Sequence, residues 1–258
     1  MRSQNIMTID QFKDDLEPHY ENLDHIVEDI IRPVISMKSF KYFEACRFKM
    51  KAIWYIQRKV EALDNQYKNF LSLCISENVL NKLLLTGDKD CYFYVPFYEA
   101  VEFENLLSQG KACLDCFSKA IGSIHNESPS NIDKLINVLE SKPKNHKIDK
   151  LLGFIKESDR LSGVIIDPKS NKKKSLRDLI SHRERADIFF RIRLDDNTGE
   201  YVLSKGALLN MRHPEVSRFS NYLVSEISAK VWFLLLGIIE NCFKVLFIED
   251  KSTASNTG

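Results

Sequence analysis

Little in this sequence stands out by excess. Lysine and arginine number 37 and aspartate and glutamate 36, so a net charge of +1 gives no global pull toward nucleic acid or an anionic membrane; any such binding must come from local patches. There is no internal repeat, no Gly/Ser linker and no low-complexity tract beyond KSNKKK, which argues against solenoid and tethered-module architectures. No P-loop, dinucleotide fingerprint, nucleophile elbow or HExxH sequence occurs, so the chemistries those motifs carry are not signalled. The six cysteines are scattered singly apart from Cys113 and Cys116, and no apolar signal segment precedes the polar start MRSQNIMTIDQ. A reducing, cytoplasmic setting is the expectation.

Long apolar runs are equally scarce. Only VWFLLLGIIENCFKVLFI at 231–248 reaches the length of a membrane span, roughly 18 to 20 residues. Glu240, Asn241 and Lys244 would then sit in lipid, where a central charge costs on the order of 3 kcal/mol. A buried core helix is expected instead, with no membrane partner.

What is present is helical periodicity, in a 258-residue chain whose 44% apolar content suffices for a packed core. Thr8 and Gln11 form a capping-box pattern ahead of Phe12, Leu16, Leu23, Ile26 and Ile30, with Pro18 and Pro33 kinking or ending that helix. A longer helix is predicted over about 40–75, where Phe43, Cys46, Met50, Ile53, Trp54, Val60, Leu63, Tyr67, Phe70 and Cys74 trace one face. TGDKDCYFYVP at 86–96 breaks the pattern, and a third helix covers 97 to about 121. Residues 123–170 turn polar and are expected to be an insertion with short helices at 131–140 and 147–157. A helix from about 173 to 185 follows, then a β-hairpin over 188–205 around DDNTG, and a long final helix over 215–248. The expected fold is mainly α: one helical bundle over 1–250 with a small hairpin before the last long helix, and a frayed tail at 251–258.

The informative segment is KKKSLRDLISHRER at 172–185. Arg177 and His182 are five positions apart, about 140° around an ideal helix, so they converge only if the helix loosens or ends near Ser181. RNA cleavage needs such a pair: an imidazole near neutral pKa to move protons, beside a permanent cation for the charge developing on phosphate. The ordinary alternative is a surface arginine with a neighbouring carboxylate and an imidazole at a helix end.

Arg177-Asp178-Leu179-Ile180-Ser181-His182 resembles the motif of the HEPN ribonucleases: an arginine, a polar residue, three further residues and a histidine, set in a helical bundle. The stretch 97–122 also resembles the preceding bundle helix of a branch of that superfamily, and 215–248 suits the closing one. The resemblance implies an up-and-down HEPN bundle in which 97–122, 172–186 and 215–248 are core helices and 8–75 is an N-terminal extension. It implies a metal-independent endoribonuclease with no cofactor, usually a homodimer whose two motifs face one cleft. Arg177 would hold the scissile phosphate, His182 would act as acid and base, and Asp178 would orient one of them. The products would be a 2′,3′-cyclic phosphate and a 5′-hydroxyl. A toxin or phage-defence role, and an antitoxin or regulatory partner, follow from the resemblance alone. The alternative, from a different class, is a non-catalytic helical binding or dimerisation module.

Lys172, Lys173, Lys174, Arg183 and Arg185, with Ser181, are candidate RNA contacts, since phosphate contacts supply most sequence-independent affinity; Glu184 and Asp187 offset part of that charge. Arg191 and Arg193 beside Phe189 make either a stacking platform or, more simply, a charge-protected sheet edge. Tyr92, Phe93, Tyr94, Phe97 and Tyr98 read first as core or loop anchors. Cys113 and Cys116, even with His125 nearby, lack the second pair that structural zinc wants, and read as core thiols; His213, before Pro214, reads as a turn residue.

Overall fold

Residues 22–76, 90–94, 97–168, 174–183, 188–193, 198–203 and 224–248 are described by a computed structural model. The chain is mainly helical. The N-terminal capping-box pattern at Thr8 and Gln11, and Pro18, lie outside the described residues. Of that first helix, 22–31 is described, and it closes as a π-turn over Ile26–Ile31 in which the Arg32 N–H donates to the Val27 carbonyl at 3.1 Å. Pro33, which has no N–H to continue the ladder, follows at once.

Helix α1 spans Met37–Ser76, beginning where the Ser36 carbonyl accepts from the Phe40 N–H at 2.8 Å. Strand β1 is Asp90–Tyr94 and helix α2 is Phe97–Ile124. Helices α3 (Ile132–Glu140) and α4 (His146–Lys156) each start at an asparagine, Asn131 and Asn145, whose side-chain oxygen accepts the N–H three residues on. A 3₁₀ turn over Glu157–Leu161 leads to helix α5, Leu176–Arg183; strands β2 (Ile188–Arg193) and β3 (Thr198–Leu203) and helix α6, Val224–Phe247, complete the order.

These elements fall into two compact units, one drawn from Met1–Lys51, Ala112–Ser158 and Leu234–Gly258, the other from Ala52–Lys111 and Asp159–Phe233. The first packs around aromatic rings. Phe43 meets Phe243 at 5.0 Å between centroids and Phe247 edge-on at 5.7 Å, while Phe117 lies 6.2 Å from Phe243. The segment read from sequence as an insertion buries Ile132, Leu135, Leu139, Ile148, Leu151 and Ile155 within this unit. Lys147 of α4 donates to the Leu246 carbonyl at 3.1 Å, satisfying an acceptor at the end of α6 that the helix itself cannot. Glu240 is buried in α6, where it accepts from the Asn22 amide and pairs with Lys244 Nζ at 2.5 Å. Among the described residues no helix is long and apolar enough to cross a membrane.

The second unit buries Ile53, Ile56, Val60, Phe103, Leu106, Leu107, Leu161, Leu176, Ile180, Val231 and Trp232. Its sheet is antiparallel in the order β1-β2-β3. In β2, Arg193 stands opposite Asp90 of β1 and Thr198 of β3, and Arg191 opposite Tyr92 and Glu200. The two arginines are therefore on a central strand, not on the sheet edge that the sequence suggested for them. The 86–96 stretch, which reads only as a break in helical pattern, contains β1, whose partner strand lies far along the chain.

Two glycines test the packing in opposite senses. A Cβ on Gly122 would lie 2.7 Å from Cγ of the rigid Pro129 ring, whereas nothing comes within 4 Å of one on Gly153 in α4. Urea unfolding should therefore show Gly122→Ala destabilised by about 1–3 kcal/mol and Gly153→Ala unchanged or stabilised by up to about 1 kcal/mol. Phe243→Ala, which empties the ring cluster, should cost about 3–5 kcal/mol in the same measurement.

Candidate functional site

Helix α5 is too short to persist alone, and its first turn shows what holds it. Ser175 is buried at its N-cap, and the Ser175 hydroxyl accepts the Asp178 N–H at 3.3 Å. In a capping box the acidic residue at Asp178 would return the favour by accepting the Ser175 N–H. Here Asp167 takes that bond instead, at 2.8 Å through Oδ1. The next two N–H groups are met by a loop: Leu176 donates to the Gly163 carbonyl and Arg177 to the Val164 carbonyl, both at 2.9 Å. That loop turns on Gly163, whose φ of 82° a side chain would strain, and on the Leu161 carbonyl, which accepts from Val164 at 3.0 Å and Ile165 at 3.1 Å. Every N–H from Ser175 to Asp178 thus has a protein acceptor. A phosphate at this helix would be held by side chains rather than by free backbone amides.

Freed from the cap, the Asp178 carboxylate pairs with its neighbour. Arg177 Nη1 lies 2.5 Å from Asp178 Oδ1, and Lys174 Nζ is 3.8 Å from Asp178 Oδ2 and 3.4 Å from Asp167 Oδ2. Asp178 is 19% exposed and Arg177 30%, so this pair is partly shielded from water and less screened than a surface one. The Arg177 Nε is buried with no hydrogen-bond partner among the described residues. Two cations, Lys174 and Arg177, face two carboxylates, Asp167 and Asp178. Of the basic cluster expected from sequence, Lys174 is thus balanced by carboxylates, Lys172, Lys173 and Arg185 lie outside the described residues, and Arg183 is the last residue of α5.

His182 occupies the last turn of α5. The helix starts later than the predicted 173, after the Ser175 cap. Leu179, Ser181, His182 and Arg183 have described backbone but no described side chains, so the structure positions Arg177 and Asp178 together and leaves the His182 imidazole outside what is described. Asp167 is the site residue that sequence reading missed. It stands eight residues before Ser175, and no spacing rule ties a carboxylate at that distance to a helix cap.

The Asp167 carboxyl is tuned by opposing effects. Burial pushes its pKa up, but hydrogen bonds from the Ser175 N–H and hydroxyl and the nearby Lys174 ammonium outweigh it and hold the pKa below the ordinary carboxylate value.

No protein-family model, curated protein or solved structure matches the chain.

The remaining sequence candidates separate by position. Cys113 is fully buried and Cys116 half-buried on α2, and among the described residues no group of His, Cys, Asp and Glu side chains is arranged to hold a metal ion. His125 has a lowered pKa, from burial first and then from Lys142 and Lys147, and its Nε2 has no hydrogen-bond partner among the described residues. Side chains of Tyr92, Phe93, Tyr94, Phe97, Tyr98, Phe189, Arg191 and Arg193 fall outside the described residues, as does all of His213.

Because the folded-state pKa of Asp167 is depressed, its stabilisation of α5 is complete above the unfolded carboxylate value of about 3.9 and is lost as pH falls through the lower folded value. Amide hydrogen exchange should show this as a lower protection factor at Ser175–Asp178, taken relative to the intrinsic exchange rate at each pH, on acidification. Asp167→Ala should reproduce it at neutral pH, and Asp167→Asn, which keeps an acceptor, should do so less. Unchanged protection in Asp167→Ala would mean that the Gly163 loop alone holds the helix start.

Proposed function

We propose that this protein is a metal-independent endoribonuclease of HEPN type. The reading is carried by Arg177, which stands beside Asp178 in the locked first turn of a helix, with 30% of its side chain open to solvent. Such a guanidinium keeps donors for a non-bridging phosphate oxygen. His182, five positions on in the last turn of α5, would take the proton from a ribose 2′-hydroxyl. The 2′-oxygen then attacks the adjacent phosphorus, the bond to the 5′-oxygen breaks, and that oxygen leaves as a hydroxyl after receiving a proton. Arg177 stabilises the charge on the pentacoordinate phosphate, and Asp178 holds the guanidinium in orientation. No metal or cofactor takes part. Lys172, Lys173, Lys174, Ser181, Arg183 and Arg185 would line the RNA path. A homodimer with two motifs on one cleft, cytoplasmic action as a toxin or phage-defence effector, and control by an antitoxin or other regulatory partner belong to the same reading.

One observation favours a second reading, a non-catalytic HEPN-like module for binding or dimerisation. The Arg177–Asp178 pair is already closed, and Lys174 is shared between Asp167 and Asp178. A phosphate must displace or outcompete Asp178 to reach the guanidinium fully. If the pair never opens, the cluster serves the fold.

Purified wild type, Arg177→Ala, His182→Ala and Asp178→Asn, incubated with total and transfer RNA in excess EDTA, separate the two. Wild type should leave cyclic-phosphate and 5′-hydroxyl ends, with either alanine variant slower by about 10²-fold or more and Asp178→Asn affected less. Cleavage that survives both alanine substitutions ends the ribonuclease proposal. No cleavage by any of the four, with RNA binding weakened by Arg177→Ala, supports the binding module.

A further inference from the structure

Away from α5, the first unit brings three cysteines together. Cys46 of α1 and Cys113 of α2 are both fully buried, with Sγ atoms 3.7 Å apart. Each sulfur also lies against the other residue's backbone carbonyl, Cys46 Sγ at 4.0 Å from the Cys113 oxygen and Cys113 Sγ at 3.6 Å from the Cys46 oxygen. The contact is reciprocal, so backbone and thiol of each residue meet those of the other. Cys116 stands one turn further along α2 and is only half-buried. It is near enough to Cys46 to influence its proton and near enough to Cys113 to be influenced by it, and Lys49, Lys119 and Asp115 are charged groups that act on it.

We propose that Cys46 and Cys113 are an oxidation site that closes to an intramolecular disulfide, with Cys116 as the thiol that meets the oxidant, a hydroperoxide. A disulfide needs the sulfurs at about 2.05 Å, so the pair has less than about 2 Å to close, a distance that side-chain rotation spans without separating the helices. The half-buried thiol is needed because the fully buried pair is out of an oxidant's reach. Burial first, and then the adjacent Cys113 thiol, raise the Cys46 pKa well above its ordinary value, which keeps it protonated and a poor nucleophile. The Cys116 pKa is also raised, by burial and then by Cys113, and the Lys49 and Lys119 ammoniums offset only part of that rise.

The chemistry balances as follows. Cys116 sulfur attacks the hydroperoxide, the O–O bond breaks, an alcohol or water leaves, and Cys116 becomes a sulfenic acid. Cys113 sulfur displaces the sulfenic oxygen as water, giving a Cys113–Cys116 disulfide. Cys46, slow as a protonated thiol but already 3.7 Å from the Cys113 sulfur, then attacks Cys113, and its proton passes to Cys116, which leaves as a thiol. The net change is two thiols and one hydroperoxide to one disulfide, one alcohol and one water. The product links α1 to α2 across 67 positions of sequence, which restricts the unfolded chain and stabilises the folded one.

Treatment of the full-length protein with hydrogen peroxide, followed by alkylation in denaturant, digestion and mass analysis, tests this. The expected result is a dithiothreitol-reversible Cys46–Cys113 peptide pair as the dominant crosslink, accompanied by a higher Tm. Cys116→Ser should give the same crosslink several-fold more slowly, and Cys46→Ser should lose both the crosslink and the Tm response. Cys46 and Cys113 remaining free while Cys116 proceeds to sulfinic acid would overturn the proposal, as would crosslinks spread evenly over Cys74, Cys91 and Cys242. An unchanged rate in Cys116→Ser would remove Cys116 from its role.

Discussion

A helix of eight residues can satisfy few of its own backbone hydrogen bonds, so α5 exists because other parts of the chain complete them. The Gly163 and Val164 carbonyls, the Asp167 carboxylate and the Ser175 hydroxyl each take one N–H at its start. Leu176 and Ile180 anchor the same helix by burial. Where Arg177 points, and whether Asp178 is available to it, follow from this arrangement. Had Asp178 served as the reciprocal cap of Ser175, its carboxylate would have faced the backbone, and Arg177 would lack its partner. Any chemistry assigned to the motif depends on a loop whose residues take no part in that chemistry.

The helical architecture was legible because it rests on local periodicity. The apolar repeat from Phe43 to Cys74 located α1 to within a few residues, and Ser36, which the repeat does not include, sets its true start. The pair at 131–140 and 147–157 was readable from spacing, but its role was not: polar flanks suggested an appendage, while successive turns of α3 and α4 carry buried leucines and isoleucines. Strand β1 was invisible for a different reason. A strand of five residues becomes stable only through its neighbour, and that neighbour, β2, follows four α-helices and a 3₁₀ turn later.

The candidate site divides along the same line. Arg177, Asp178 and His182 were legible as a spacing on one segment, and Arg177 and Asp178 do meet. Asp167 was not, because its contact with Ser175 depends on how the Gly163 loop folds back. Nor could sequence reveal that Lys174, which reads as part of a cationic run, lies between two carboxylates. Charge counted along a chain overstates charge presented to a ligand whenever the fold supplies counter-ions from elsewhere. The apolar run at 231–248 shows the converse: Glu240 looked prohibitive in lipid and is accommodated within the first unit by Asn22 and Lys244.

The hydrogen bond from Lys147 to the Leu246 carbonyl has a bearing on how the chain can be edited. It means that the end of the last long helix is finished by a side chain from the middle of the sequence, so shortening the protein by excising 123–158 would expose both an apolar surface and an unfinished helix terminus. Exposed positions at Pro143 and Lys144, between the two short helices, are better suited to accept added sequence, such as an epitope or a fluorophore tag, because no core residue is displaced there.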